Sequence, residues 1–334
     1  MSTHAPQPNR PASAPSSPAS APGSPQQPRV LILGAAGQLG VELQRSFAGH
    51  AEVAALDRHG LDLSAEQQIR DVVRRASPQV ILNASAYTAV DRAETEPDLA
   101  MAINGHAPRV LAEEALRLNA LLVHYSTDYV FDGNKQGPWT ETDTPHPLSV
   151  YGATKLAGEE AIRAVGGRSL IFRTSWVYAP HGKNFLLTML RLGRERDRLS
   201  IVDDQLGAPT TASELAQATH SIVSGILAGQ FGPPEDWAGL YHMTCAGSTT
   251  WYGFAQAIFQ RAAQLLHQPI PELVPIPSSQ YPTPARRPQN SVLSNRLLEE
   301  RFGLRLAPWP VALDATLAAT LDSALAELSQ KATE

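Results

Sequence analysis

RVLILGAAGQLGVELQRSF (residues 29–47) joins an unbroken apolar run to a glycine-rich turn and an amphipathic stretch. RVLIL suits a strand buried on both faces, and QLGVELQRSF carries its apolar residues at helical spacing. Between them Gly34, Gly37 and Gly40 fall in the pattern G-x-x-G-x-x-G. Glycines there let the chain turn tightly, let backbone N–H groups approach a diphosphate, and let the helix pack close to its strand. The helix N-terminus adds partial positive charge. An ordinary strand-to-helix turn can carry the same triplet, so the surrounding chain has to decide.

Outward from this unit the alternation repeats. EVAALD (52–57), a helix near 65–76, QVILNAS (79–85), a long helix near 97–118, LLVHYST (121–127) and a helix from Tyr151 to about Val165 follow in order. SLIFRTSWVY (169–178) reads as one further strand and GLYHMT (239–244) as another. This order predicts an α/β fold with a doubly wound parallel sheet, Rossmann-like. Helices near 184–198, 211–228, 250–267 and 309–329, with a Pro-rich loop at 275–288, predict a smaller C-terminal α/β lobe. The expected division is a dinucleotide-binding domain over 29–178, its sheet completed near 239–244. Residues 179–334 are then mainly a substrate-binding lobe, with chain exchange between the two.

Residues 1–28 differ from all of this: they hold eight of the 27 prolines, and Ala, Ser and Pro fill 19 of the 28 positions. Such a segment buries too little apolar surface to offset its ordering entropy and reads as a disordered tail. Over the whole chain of 334 residues, 27 Lys+Arg against 32 Asp+Glu give a net charge of −5. With no basic run, that balance argues against a nucleic-acid partner. The longest apolar runs are too short to span a membrane. One cysteine, Cys245, excludes an intramolecular disulfide and fits the cytoplasm.

Two further constellations carry chemistry. Asp57, ending the second strand, can accept hydrogen bonds from ribose hydroxyls and favours NAD, whereas Arg58 can pair with a 2′-phosphate and favours NADP. The sequence leaves that choice open. Tyr151 and Lys155 are four residues apart in VYGATKLAGEEA, so both project from one helical face. A neighbouring ammonium lowers a phenol's pKa and makes it a usable acid–base group. Thr127 ends a sheet strand, where doubly wound folds place their ligands, and its hydroxyl can reach both a substrate oxygen and the phenol.

The combination of Gly-rich turn, strand-end Thr and helical Tyr/Lys resembles the extended short-chain dehydrogenase/reductases. LGAAGQLGVELQ (33–44), NASAYTAVDRAETEP (83–97), HYSTDYVFDG (124–133), VYGATKLAGE (150–159), FRTSWVYA (172–179), DDQLGAPT (203–210) and YPTPARRPQNS (281–291) look like the branch that reduces dTDP-linked keto sugars. The resemblance implies reduction of the C4 keto group of dTDP-4-dehydro-L-rhamnose by NADPH or NADH. Dehydratases of the superfamily carry Asp-Glu after the catalytic Thr, and Asp128-Tyr129 stands here instead.

On that resemblance Thr127, Tyr151 and Lys155 are catalytic. Gly37, Gln38 and Leu39 line the diphosphate, and Asp57 holds the ribose. Asp62 and Leu63 flank the adenine, while Ala86, Tyr87 and Thr88 lie along the cofactor. Thr127 and Asp128 touch the sugar, Trp176 packs on it or stays in the core, and Arg287 and Asn290 either meet the nucleotide diphosphate or anchor their loop. Glu42 matches a position that holds Mg²⁺ between the subunits of some homodimeric members, with an ordinary exposed helix carboxylate as the other reading. Two alternatives stay open: a non-catalytic NADP-binding regulatory subunit, and a reductase or epimerase of another sugar nucleotide. The intact Thr127, Tyr151 and Lys155 weigh against the first.

Overall fold

The computed structural model describes Met1, residues 27–266 and residues 270–331. Most of the Ala/Ser/Pro-rich tail expected over 1–28 lies outside the described residues. The Pro28 carbonyl, one residue before Arg29, already accepts from the Glu52 N–H.

The first half runs β1 (Arg29–Leu33), α1 (Gln38–Phe47), β2 (Glu52–Leu56), α2 (Glu66–Ala76), β3 (Val80–Asn83), α3 (Val90–Ala93), α4 (Pro97–Met101), α5 (Ala107–Leu118), β4 (Leu121–Thr127), α6 (Val150–Val165) and β5 (Ser169–Thr174). The second half continues with β6 (Val177–Tyr178), α7 (Phe185–Glu195), β7 (Arg198–Val202), β8 (Leu206–Gly207), β9 (Thr210–Thr211), α8 (Ala212–Leu227), α9 (Pro234–Trp237), β10 (Gly239–His242), β11 (Thr249–Thr250), α10 (Trp251–Leu266), β12 (Glu272–Ile276), α11 (Arg296–Phe302) and α12 (Trp309–Lys331).

Six strands form one sheet in the order β10-β5-β4-β3-β1-β2, every pair parallel. Both faces are covered. Val30 and Ile32 of β1 pack with α1 and α8 on one side, while Leu31 and Leu33 pack with α2 and α5 on the other. This explains the unbroken apolar text of the central strands, whose side chains have no solvent face. The second lobe has a core of its own around Leu186, Met189, Phe254, Phe259 and Leu313.

Several elements depart from the sequence reading. SLIFRTSWVY is not one strand: Trp176 sits at φ +48°, which ends β5 and turns β6 away to pair with β9. The helix expected to run to 198 stops at Glu195, because Arg198–Val202 forms a parallel pair with β12. That pairing puts the start of the Pro-rich loop into a strand. Pro275 is tolerated there because β12 has only one neighbour to hydrogen-bond. The long helix at 97–118 contains a π turn over Ala102–His106 between α4 and α5.

One polar cluster fastens α2 to α5. Glu114, almost fully buried, accepts from Arg74 (2.5 and 2.9 Å), Arg117 (2.8 Å) and Arg70 (3.2 Å). Arg74 first, with Arg117 and Arg70, holds its carboxyl down to about 2. A depressed carboxylate stabilises the fold above its unfolded pKa of 4.5, and that contribution is lost as pH falls toward 2. Glu114→Gln should therefore cost about 1–3 kcal/mol at pH 7 in urea unfolding, with the difference shrinking below about pH 4. An unchanged midpoint at pH 7 would refute this role.

Candidate active site

A groove of about 830 Å³ opens along the carboxyl ends of β1, β2, β3 and β4. Its floor is the glycine turn. A Cβ on Gly40 would lie 2.0 Å from the Gly34 carbonyl oxygen, so only glycine lets α1 approach β1 this closely. Gly34 has φ +83° and would bring a Cβ within 2.9 Å of the Ala84 backbone. The first turn of α1 has no acidic residue and no side-chain cap, which leaves its N–H groups open to an anion.

Gly37, Gln38 and Leu39 line the groove, as do Asp57, Arg58, Asp62 and Leu63. Asp57 accepts from the N–H groups of His59 (2.9 Å) and Gly60 (3.2 Å), bonds that hold its carboxyl below the usual range, the His59 contact most. Asp62 is lowered in the same way by the Ser64 hydroxyl and N–H. Both therefore stay ionised acceptors.

Ala86, Tyr87 and Thr88 form the wall beyond β3. The segment is fixed by a residue the sequence reading missed: Asn104, in the π turn, accepts from the Tyr87 N–H (2.8 Å) and donates back to the Tyr87 carbonyl (3.2 Å). An Asn-Gly pair in the middle of a helical text was the available signal.

Lys183 was also missed, and it reaches the groove because its loop is clamped to α1. Asn184 donates to the Gln38 side chain (2.8 Å), and His181 pairs with Glu42 (2.9 Å). Glu42 is thus neither exposed nor free. Its Oε1 is shared by His181 and Arg45 (2.7 Å), and the Arg45 guanidinium already balances its charge. No group of three metal-ligating side chains occurs among the described residues, so Glu42 builds no metal centre within this chain.

Tyr151 and Lys155 both face the groove from α6. The helix starts at the Ser149 cap, which accepts from the Gly152 N–H (3.2 Å). A Cβ on Gly152 would come within 2.2 Å of the Tyr129 carbonyl oxygen, so the helix seats directly on the turn after β4. That contact brings the Tyr151 hydroxyl up to the Thr127 side chain. Thr127 in turn donates to Asp128 (3.0 Å) and accepts from the Tyr129 N–H (3.1 Å).

The expectation that Lys155 lowers the Tyr151 pKa is corrected here. Burial pushes the phenol above its ordinary value, Asp128 adds to this, and only the Thr127 bond opposes it. The lysine is engaged elsewhere: its Nζ donates to the Tyr125 carbonyl (2.6 Å) and lies 3.2 Å from His124 Nε2. Burial lowers Lys155 to about 8. The result is a phenol kept protonated, and so ready to donate, beside a lysine that gives up its proton near neutrality.

The expected sugar residues are divided. Asp128 is buried beside the phenol, with one carboxylate oxygen lacking any partner, and burial raises it to about 6. Trp176 does not offer both indole faces, since its ring stacks on Trp251 at 3.5 Å. Arg287 is paired with Asp91 (3.1 Å) near the Tyr129 hydroxyl. Asn290 is a loop anchor: its amide nitrogen donates to the carbonyls of Lys135 (2.8 Å) and Gly137 (2.7 Å), which exhausts its donors and corrects the diphosphate expectation. A Cβ at Gly207 would lie 2.4 Å from the Trp176 ring. Gly207→Ala should therefore displace that indole from its stack on Trp251, seen as a shift in tryptophan fluorescence, and an unchanged spectrum would refute the close contact.

The sequence profile described as the RmlD substrate binding domain matches residues 28–321. The chain is 48% identical over 295 residues to the dTDP-4-dehydrorhamnose reductase of Burkholderia thailandensis, covering 85% of this chain and 96% of that one. It is 44% identical to the Escherichia coli reductase of the same name, covering 86% and 96%. A crystal structure of dTDP-4-dehydrorhamnose reductase from Bacillus anthracis, in complex with NADP, superposes with a TM-score of 0.80 at 33% identity, covering 88% of this chain and all of that one. With the profile spanning nearly all the ordered chain, and relatives matched over almost their full length, the protein belongs to the RmlD substrate binding domain family.

Proposed function

We propose that the protein is an NADPH-dependent oxidoreductase that reduces the C4 keto group of dTDP-4-dehydro-L-rhamnose to give dTDP-L-rhamnose. The observation that carries this reading is the protonated Tyr151 phenol, set beside Thr127 in the wall of a nucleotide-sized groove. The curated relatives with this activity and the NADP complex of the Bacillus anthracis enzyme support it.

The open N–H groups of α1 and the Lys183 ammonium receive the cofactor diphosphate. Asp57 accepts from the adenosine ribose, and Arg58 pairs with the 2′-phosphate. When bound, the nicotinamide supplies the hydride. Tyr151 donates its phenolic proton to the C4 oxygen as negative charge develops there, and Thr127 orients that oxygen. Lys155, in its ammonium form, is the proton store at the same groove from which the phenol is restored. The Lys155 value near 8 sets a limit: kcat/KM should fall above about pH 8 as the ammonium is lost. A rate flat to pH 10 would contradict it.

Loss of NADPH absorbance with dTDP-4-dehydro-L-rhamnose, but not with UDP- or GDP-linked keto sugars, tests the assignment. No consumption with any keto sugar would return the chain to the regulatory-subunit reading. The proposal includes a cytoplasmic location, suited to the soluble substrates and the free, buried Cys245. It also includes a homodimer, which light scattering checks.

A further inference from the structure

Asn83, His124 and Lys155 form a buried line beneath the groove, each about 1% exposed or less. Asn83 ends β3, His124 lies in the middle of β4, and Lys155 reaches down from α6. His124 Nδ1 is 3.0 Å from the Asn83 amide nitrogen, and its Nε2 is 3.2 Å from Lys155 Nζ. Burial keeps the imidazole neutral, well below its ordinary range, and the Lys155 charge adds to this.

A neutral imidazole has one N–H and one acceptor nitrogen, so it cannot accept at both ends. The orientation of Asn83 decides which end accepts. Its Oδ1 faces the Ser85 N–H at 3.3 Å, so the amide nitrogen must point at the ring and donate to Nδ1. The ring proton then sits on Nε2 and faces the lysine, where only an uncharged amine can receive it.

We propose that Asn83 and His124 are positioning residues that set the protonation state of Lys155, His124 stabilising the neutral amine by donating from Nε2. The ammonium form requires the opposite ring tautomer, which Asn83 resists. The other groups around the lysine are Tyr151 and Glu159 on its own helix and the Tyr125 carbonyl on β4. Glu159 is neutralised by Arg173 of β5, and Asp128 lies beyond Tyr151. None of these offers the lysine a hydrogen-bond proton in this arrangement.

The device has a use in the cycle proposed above, on which this inference rests. Once Tyr151 has given its proton to the C4 oxygen, the tyrosinate must recover one, and Lys155, lining the same groove, is a store for it. The Tyr151 O–H bond broken in the reduction is remade with a proton from the ammonium. The amine left behind is the form His124 favours, and it takes its replacement proton from water.

The first test reads the ring itself. Long-range proton–nitrogen correlation spectra of the cofactor-free protein, recorded above pH 9 and assigned through contacts to Lys155, should show His124 protonated on Nε2. An Nδ1–H tautomer overturns the proposal. The second test is kinetic. Removing the donor by His124→Phe, or freeing the ring to change tautomer by Asn83→Ala, should move the alkaline limb of kcat/KM upward by roughly one pH unit. If His124 instead accepted from the ammonium, His124→Phe would move that limb down; if the pair were merely structural, rates would fall with the limb unmoved. Either outcome refutes the assignment. The tautomer is read without substrate, so a failure of the proposed reaction is seen separately, as no NADPH consumption by the unaltered protein.

Discussion

Tyr151→Phe should lower kcat by about 10²–10⁴-fold while changing the NADPH dissociation constant by less than about fivefold, the worth of one hydrogen bond. The split follows from where the phenol lies. It is the protonated group beside Thr127, whereas the diphosphate and adenosine contacts proposed above fall to the glycine turn, Asp57 and Arg58. Phenylalanine keeps the edge-on contact with Tyr129, whose ring centroid lies 5.6 Å away, so folding should be unaffected. Stopped-flow rates and fluorescence titration with NADPH separate the two quantities. Wild-type turnover in the variant would remove Tyr151 from the mechanism.

Glu159→Ala should destabilise the protein by about 3–5 kcal/mol, because it strands the Arg173 guanidinium in the interior. Arg173 is 2% and Glu159 1% exposed, and they meet through three contacts of 2.6, 2.9 and 3.2 Å. Ser126 donates to the same carboxylate, and Arg173 lies over the Phe131 ring at 5.0 Å. The cluster ties α6 to β4 and β5. It sits one turn beyond Lys155 on the helix and next to Thr127 on the strand, so its loss should also depress turnover by loosening the catalytic pair. Urea unfolding measures the first effect. Replacing both partners, Glu159→Leu with Arg173→Met, should recover most of the lost stability, since no buried charge is then left alone. A double variant as unstable as the single one would show that the pair itself, not the orphaned cation, was the source.

Much of this was legible in the chain. The apolar text of β1, β3, β4 and β5 has a local cause, burial on both faces, and the glycine turn largely has one too, because Gly37 and Gly40 answer to the Gly34 backbone a few residues away. Tyr151 and Lys155 were legible for the same reason, since helical spacing alone puts them on one face. The break at Trp176 was not, because a positive φ in a non-glycine residue is held by contacts with Gly207 and Trp251, far away in sequence. Nor were the pairing of β7 with β12 or the π turn that aims Asn104.

The sequence by itself determined the sheet, the glycine turn and the shared helical face of Tyr151 and Lys155, because these depend on periodicity, on missing side chains and on spacing within single elements. Only the tertiary structure decided the protonation states and the fate of the remaining polar side chains. It turned Lys155 from Tyr151 toward Tyr125 and His124, spent Asn290 on its own loop, and closed Glu42 against His181. Desolvation and hydrogen-bond partnership arise from whichever elements happen to be packed together, and neither is written in any one of them.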